Sequence, residues 1–175
     1  MTENDDERAL GTPSGPRASP LVPGDSAPFF FLRTPAGEEL SLAAEILRGP
    51  VVLEFIRGSW DPDARRRLDE LDAIDGELLA RNVRVAVVTC ERIDPLAAFL
   101  EQTKIRLSVA VDEDRSVTKA YGVFRRFALP VWNIARPSTF VIDRCGFVRY
   151  AYVAPLSIHA APLDEVRAAL DKLEG

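Results

Sequence analysis

The sequence predicts one α/β domain whose mixed central sheet carries helices on both faces. Between residues 51 and 121, short apolar runs alternate with amphipathic segments, which indicates parallel strands joined by right-handed helical crossovers. Near the C-terminus, two apolar runs are joined by Asp143-Arg144-Cys145-Gly146, a short polar link that favours a hairpin of antiparallel strands. A length of 175 residues is enough for one domain with a substantial core.

The first half of the domain is predicted from periodicity and capping residues. Ser41 suits the cap of a short helix that runs through Leu47. The nearly unbroken apolar run VVLEFI at 51–56 predicts a buried strand, and Glu54 within it has no explanation from sequence. A long helix is predicted over 62–80, where leucines and an isoleucine form one stripe.

The second half continues the alternation. Asp94-Pro95 suits the cap and first turn of a helix after a second strand at 83–89. The remaining predicted elements are a third strand at 107–111, a helix at 114–121, a long connection at 122–137, two hairpin strands at 138–142 and 147–153, and an amphipathic helix at 163–173.

The first 22 residues differ in composition from the rest. They are polar and rich in proline, glycine, serine and acids, which predicts a disordered tail (1–22) before a folded domain (23–175). The start MTENDDERAL lacks the basic and apolar regions of a secretory signal, and no run approaches the roughly 18 apolar residues of a membrane span. With two cysteines, which fit a reducing compartment, these features predict a cytoplasmic protein.

The segment after the 51–56 strand resembles a known active-site motif. Ligands of open α/β sheets bind beyond the carboxyl ends of the parallel strands, and the sequence there is RGSWDPDAR (57–65). It resembles the Arg-Gly-x-Trp-Cys-Pro-x-Cys motif of a branch of the alkyl hydroperoxide reductase and thiol-specific antioxidant family, whose members are peroxiredoxin-like redoxins. Further similar segments are PGDSAPFF (23–30), RGPVVLEF (48–55), VDEDRSVTKAYGV (111–123) and ARPSTFVIDRCGFVRYAYV (135–153). The resemblance covers about residues 21–153 and implies a thioredoxin-like fold. It also implies peroxide reduction by a thiolate, which becomes a sulfenic acid and is resolved by a second thiol.

Carried over residue by residue, this motif lacks both of its thiols. Trp60 and Pro62 are retained, but Asp61 stands at the position of the attacking cysteine and Ala64 at that of the second cysteine. A carboxylate cannot cycle through sulfenic acid or disulfide. The family resemblance therefore predicts a site whose expected chemistry is missing.

Further family positions also differ. Glu54 and Gly58 stand where the broader peroxiredoxin pattern has a proline and a threonine. Pro137 occupies the place of an arginine that such enzymes commonly carry, and Arg136 lies one position away. The degenerate site that the resemblance implies thus comprises Trp60, Asp61, Pro62 and Ala64, with Arg136 and Pro137 beside them.

Two functional interpretations follow. The favoured one is a catalytically degenerate pseudoenzyme that acts as a binding or regulatory protein, in which Asp61-Pro62 serves as helix cap and first helical residue. The alternative is an active thiol-dependent peroxidase or disulfide oxidoreductase that uses Cys90, at the end of the second predicted strand. A free cysteine is more often a small buried apolar residue. Cys145 falls in the predicted hairpin turn, away from that edge.

Charge and composition limit the partners. A net charge of −5 gives no support for nucleic acid or a membrane surface, and the run Arg65–Arg67, followed by acids, predicts a solvated helix face. Two cysteines and the single His159 make no credible metal site, and no cofactor is expected. The aromatic residues of Tyr121–Trp132 predict either packing or a contact surface for a protein partner or a homodimer.

Overall fold

The structure, a computed structural model, describes residues 15–128, 131–155 and 160–174. In chain order the elements are β1 (Phe31–Arg33), β2 (Glu39–Ser41), α1 (Leu42–Arg48), β3 (Val51–Ile56), α2 (Pro62–Ala80), β4 (Arg84–Thr89), α3 (Ile93–Thr103), β5 (Ser108–Val111), α4 (Ser116–Ala120), β6 (Phe124–Ala128), β7 (Val131–Ala135), β8 (Ser138–Ile142), β9 (Val148–Val153) and α5 (Leu163–Glu174).

Seven strands form a mixed sheet in the order β2-β1-β5-β4-β3-β8-β9, which confirms the predicted fold class. The central strands β3, β4 and β5 are parallel, whereas β1, β2, β8 and β9 pair antiparallel. Ile56 lies opposite Thr89, and Thr89 lies opposite Val111. The carboxyl ends of the three parallel strands therefore form one edge of the sheet, where the loops that follow them meet.

Alternate side chains of β3 enter two separate cores. Val51, Leu53 and Phe55 pack with the core that also holds α1 and α4. Val52 and Ile56 pack with the core formed by α2, α3 and α5. Because both faces of the sheet are covered, β3 reads as an almost continuous apolar run. The residue between Val52 and Ile56 on the second face is Glu54.

The prediction of a long connection at 122–137 is wrong. It contains β6 and β7, which pair as an antiparallel hairpin with Phe124 opposite Ala135 and Arg125 opposite Ile134. Arginines interrupt the apolar alternation of β6, and Asn133 adopts a positive φ of 56° within β7. These features hide the strand signal from a sequence-based prediction.

The predicted start of α3 is also wrong. The helix begins at Ile93 with Arg92 at the N-cap, and no side chain caps it there. Pro95 lies in the first turn, where its missing amide hydrogen costs nothing. Asp94 is an acidic residue of that turn and not the cap.

The N-terminal segment packs on the domain earlier than predicted. Residues 1–14 lie outside the described residues, so the tail remains a prediction there. The Arg17 amide donates to the Lys119 carbonyl, and Leu21, only 1% exposed, donates to the Tyr121 carbonyl. A Cβ at Gly122 (φ 70°) would lie 2.1 Å from the Ser19 carbonyl oxygen, so glycine permits this contact. Residues 17–21 therefore contact the domain, although they belong to the segment predicted as a tail.

Within the described ranges, no helix is both long enough and apolar enough to cross a membrane.

Candidate functional site

A cavity of about 460 Å³ opens at the start of α2, beyond the carboxyl end of β3. It brings together three of the predicted site residues, Asp61, Ala64 and Pro137. Its other polar lining residues are Glu54, Arg57, Asp63, Arg66, Arg67 and Glu70. Ile56 of β3 and residues at the start of α5, including Pro162 and Leu163, complete the wall together with Phe55, whose side chain packs in the core on the other face of the sheet.

Asp61 is the N-cap of α2, as the sequence predicts. Its Oδ1 accepts a hydrogen bond from the Asp63 amide at 3.1 Å, and Pro62 occupies the first turn, where no amide hydrogen is needed. Its Oδ2 lies 3.3 Å from Nη1 of Arg57. Both side chains are largely buried, with exposed fractions of 7% for Asp61 and 12% for Arg57. The carboxylate is thus held by a backbone donor and by a guanidinium.

Trp60 and Ala64 complete the helix start. Ala64 is buried and lines the cavity three residues beyond Asp61, so a methyl group occupies the place of the second motif thiol. Trp60 is 43% exposed, and the guanidinium carbon of Arg57 lies 5.2 Å from its ring centroid. A Cβ at Gly58 would lie 2.2 Å from Trp60 Nε1, so the glycine permits this placement of the indole.

Glu54 takes part in a buried polar cluster at the cavity wall. Its Oε2 accepts from Arg67 Nη2 at 3.1 Å and from the Thr139 hydroxyl at 2.7 Å. Arg67 also donates to the Ala161 carbonyl at 3.0 Å. Burial raises the pKa of Glu54, and Arg67 and Thr139 offset part of that rise. This cluster accounts for the carboxylate that sequence left unexplained.

The predicted solvated face of the Arg65–Arg67 run is correct for two residues and wrong for the third. Arg65 and Arg66 are exposed, whereas the Arg67 side chain is 3% exposed. Arg67 adjoins Leu68 on the stripe that α2 buries, together with Ala64 and Leu71. That helical spacing is the signal by which sequence reasoning could have placed Arg67 in the interior.

Ser59 and Glu91 form a contact at the start of α2 that sequence reasoning missed. The amide and the hydroxyl of Ser59 both donate to the Glu91 carboxylate, each at 2.8 Å. The Ser59 carbonyl accepts from Arg65 Nε. Glu91 follows β4, and so it ties the loop before α2 to the neighbouring strand end. No motif in the sequence signals this pair.

Arg136 does not enter the cavity. Its Nε donates to the Ala154 carbonyl, and it is absent from the cavity lining, whereas the adjacent Pro137 is present there. The charges at this cavity come instead from Glu54 of β3, from the loop before α2 and from α2 itself.

Cys90 lies apart from the cavity. It packs in the core on the α1 and α4 side of the sheet, with Sγ 3.2 Å from the Thr118 hydroxyl, which itself donates to Asp112. Burial raises the pKa of the Cys90 thiol to about 11. The predicted alternative nucleophile is therefore neither at the cavity nor readily ionised.

Cys145 is exposed in the β8–β9 turn. Ile142 of β8 pairs with Val51 at the amino end of β3, and Ser138 pairs with Phe55 near its carboxyl end. Cys145 consequently lies at the edge opposite the start of α2. His159 lies outside the described residues. Across 15–128, 131–155 and 160–174, no group of three His, Cys, Asp or Glu residues is placed to hold a metal ion.

Comparisons with known proteins identify the family. The model of the AhpC/TSA family matches residues 23–151. The chain belongs to this family. Peroxiredoxin Bcp of Escherichia coli is 24% identical over 77% of this chain and 86% of its own length. A Mycobacterium tuberculosis protein with a provisional peroxiredoxin name is 28% identical over 82% of this chain and 92% of its own length.

Solved structures show the same fold. Peroxidoxin BcpB from Mycobacterium tuberculosis superposes with a TM-score of 0.79 at 22% identity and covers 89% of this chain and 99% of its own. A peroxiredoxin-like protein from Aquifex aeolicus gives a TM-score of 0.76 at 22% identity and covers 88% of each chain. The thioredoxin-like, peroxiredoxin-like fold predicted from the motif is confirmed.

Proposed function

We propose that this peroxiredoxin-like redoxin has lost thiol peroxidase chemistry and acts as a binding protein through the cavity at the start of α2. The observation that carries the proposal is the carboxylate of Asp61, held by Arg57 and the Asp63 amide at the motif position of the attacking thiol. Peroxide reduction by this family's chemistry needs a sulfur that is oxidised to sulfenic acid and then reduced. A carboxylate has no such cycle.

Neither cysteine supplies the missing thiol. At pH 7, a thiol with a pKa of about 11 is ionised in about one molecule in 10⁴, and Cys90 is also 8% exposed. Cys145 is accessible but lies at the opposite edge of the sheet from Arg57 and Asp61. These two observations weigh against the alternative of an active thiol oxidoreductase that uses Cys90.

The retained cavity favours binding. Its volume falls in the range of about 300–1,000 Å³ that ligand pockets occupy, and its wall combines apolar side chains with a few charged groups. The ion pair between Glu54 and Arg67 is buried beside this cavity. Its net contribution to stability is small, because desolvation of the two charges offsets much of their attraction. A cytoplasmic location is part of this proposal, and it is supported by the small number of cysteines in the sequence.

We propose the β6–β7 hairpin as the contact surface for a protein partner or a second copy of the chain. Trp132 on β7 is 61% exposed. Tyr121, by contrast, is fully buried, and its hydroxyl donates to the Pro28 carbonyl, so it belongs to the core. The proposed surface therefore begins after Tyr121.

A peroxide-consumption assay tests the main proposal. Hydrogen peroxide and an organic hydroperoxide are mixed with dithiothreitol and with the wild-type protein, Cys90→Ser or Cys145→Ser. The expected wild-type rate does not exceed that of free cysteine at the same thiol concentration. Saturable turnover that disappears in Cys90→Ser would overturn the proposal and establish the thiol-peroxidase alternative.

A further inference from the structure

We infer that the acidic N-terminal segment, residues 3–7, docks on the basic surface of the β6–β7 hairpin in the same chain. This inference rests on the proposed contact role of the hairpin, because it names an occupant of that surface. The acidic segment reads Glu-Asn-Asp-Asp-Glu, so it carries four carboxylates within five residues.

The distribution of charge along the chain is the first observation. Residues 115–142 include five basic residues and no acidic one, although the whole chain has a net charge of −5. Residues 1–14 show the opposite bias, with four acidic residues and one basic residue. Two segments of opposite charge attract each other when they approach within about a Debye length, which is about 8 Å at physiological ionic strength. The five basic residues are Arg115, Lys119, Arg125, Arg126 and Arg136.

The fold gathers three of these charges at the hairpin. Arg125 and Arg126 are consecutive residues of β6, and both are exposed. The Arg136 amide donates to the Val123 carbonyl at 2.8 Å, which places Arg136 at the base of the hairpin. Burial lowers the pKa of Arg136, and the positive charge of Arg125 lowers it further. The two guanidiniums therefore repel each other, and a carboxylate beside them would relieve that repulsion.

The hairpin arginines have no carboxylate partner in the part of the chain that the structure describes. The ion pairs there include none of Arg125, Arg126 and Arg136. Nε of Arg136 donates instead to the uncharged carbonyl of Ala154. An acidic ligand at this surface thus meets positive charges that those ion pairs leave unneutralised.

The start of the described chain lies beside the hairpin. The Arg17 amide donates to the Lys119 carbonyl at 3.0 Å, and Lys119 Nζ lies 5.3 Å from the ring centroid of Phe124, the first residue of β6. The eight residues from position 15 back to Glu7 extend to about 26 Å, whereas the five residues of β6 extend to about 17 Å. The acidic segment can therefore reach the hairpin of its own chain.

Paramagnetic broadening in the full-length chain tests this contact. A nitroxide is attached to Thr2→Cys in a Cys145→Ser background, and Cys90 stays unlabelled at pH 7 because burial raises its pKa to about 11. At about 0.05 M salt we expect the amide signals of Arg125 and Arg126 to lose about half or more of their intensity, since a short tether gives a millimolar effective concentration. The signals should recover at about 1 M salt, where the Debye length is about 3 Å.

Two pairs of substitutions form a matched control. Arg125→Gln with Arg126→Gln removes two exposed positive charges from the hairpin. Arg144→Gln with Lys172→Gln also removes two exposed positive charges, but these line a groove at the opposite edge of the sheet. We expect the first pair to abolish the broadening at positions 125 and 126 and the second pair to leave most of it.

The acidic segment is tested by Asp5→Asn with Asp6→Asn. This pair leaves the hairpin unchanged and halves the number of carboxylates in the segment, so the broadening should weaken clearly. The inference is overturned by undiminished broadening in this pair, by equal effects of the two control pairs, or by unbroadened hairpin signals at low salt.

A mixed sample distinguishes one chain from two. Isotope-labelled protein without a nitroxide is mixed with unlabelled protein that carries it, and broadening in the mixture would show that a second copy supplies the segment, which also overturns the inference. The Trp132→Ala assembly assay remains separate. Broadening within one chain with unchanged assembly in Trp132→Ala contradicts the proposed partner surface alone, and altered assembly without broadening contradicts this inference alone.

Discussion

Replacing Asp61 by alanine should destabilise the fold by about 2–4 kcal/mol. Loss of the N-cap acceptor for the Asp63 amide costs about 1 kcal/mol. Loss of the partner of Arg57, whose side chain is 12% exposed, leaves a largely buried guanidinium unsatisfied and costs about 1–3 kcal/mol more. For a chain of this size, each kcal/mol lowers Tm by about 2–4 °C.

Two further substitutions separate capping from charge. Asp61→Asn keeps an acceptor for the Asp63 amide and an oxygen for Arg57, so it should cost less than Asp61→Ala, about 1 kcal/mol or below. Asp61→Cys places a thiol at the helix start beside Arg57. Its pKa should fall below the free value of about 8.5, because the helix end and the guanidinium favour the thiolate.

The assay is equilibrium denaturant unfolding of the three variants, with alkylation rate against pH for Asp61→Cys. Asp63→Asn is the control, since it alters charge in the same helix turn without removing a buried partner of Arg57. Its effect should stay within the roughly 0.3–1 kcal/mol of a surface charge near a helix terminus. If Asp61→Ala is neutral or stabilising, Asp61 is not the structural cap that its geometry indicates.

Three other predictions concern separate regions. In Cys145→Ser, alkylation of Cys90 should be slow at pH 8 and accelerate toward pH 11, because burial raises its pKa to about 11; fast labelling at pH 8 would contradict this burial. Burial also raises the pKa of Glu54 in the folded protein, so the folded protein binds this proton more tightly than the unfolded chain does. The free energy of unfolding should therefore fall as the pH rises from about 4.3, the pKa of Glu54 in the unfolded chain, through its pKa in the folded protein. Glu54→Gln should flatten that fall in unfolding melts, whereas Glu70→Gln, at a half-exposed position, should leave the fall in place. Trp132→Ala should change the oligomer size or partner binding more than the unfolding free energy, since the side chain is 61% exposed. Sedimentation measures the first and unfolding melts measure the second. Unchanged assembly with a large loss of stability would indicate that Trp132 serves in packing instead.

The main elements of the fold were predictable because their signals are local. The apolar run of β3, the stripe of α2 and the cap at Ser41 each define their element, and the structure has β3 and α2 at the predicted bounds. The β6–β7 hairpin was not predictable from a periodic pattern, because Arg125 and Arg126 occupy consecutive positions in β6. Its strands pair with each other and lie outside the main sheet.

The site was predictable only in part, since its motif is local but its partners are not. Asp61 and Ala64 were found by their places in one segment. Arg67 is hydrogen-bonded to Glu54, 13 residues away in the sequence, and to Thr139, 72 residues away. Their cluster therefore follows from the sheet register and the helix face rather than from spacing in sequence. Long-range packing also determines that Cys90 lies outside the site. Cys90 shares the carboxyl edge of the sheet with Asp61 but lies on the other face of the sheet.

We propose that this family member lacks a peroxide-reactive thiol because a carboxylate occupies the motif position. The most direct measurement is mass-spectrometric detection of sulfenic acid, trapped with a dimedone-type probe after brief treatment with stoichiometric peroxide. We expect no trapped adduct on wild-type Cys90 or Cys145 beyond that formed by free cysteine, and rapid trapping at position 61 in Asp61→Cys. Rapid formation of an adduct on Cys90 of the wild-type protein would contradict it.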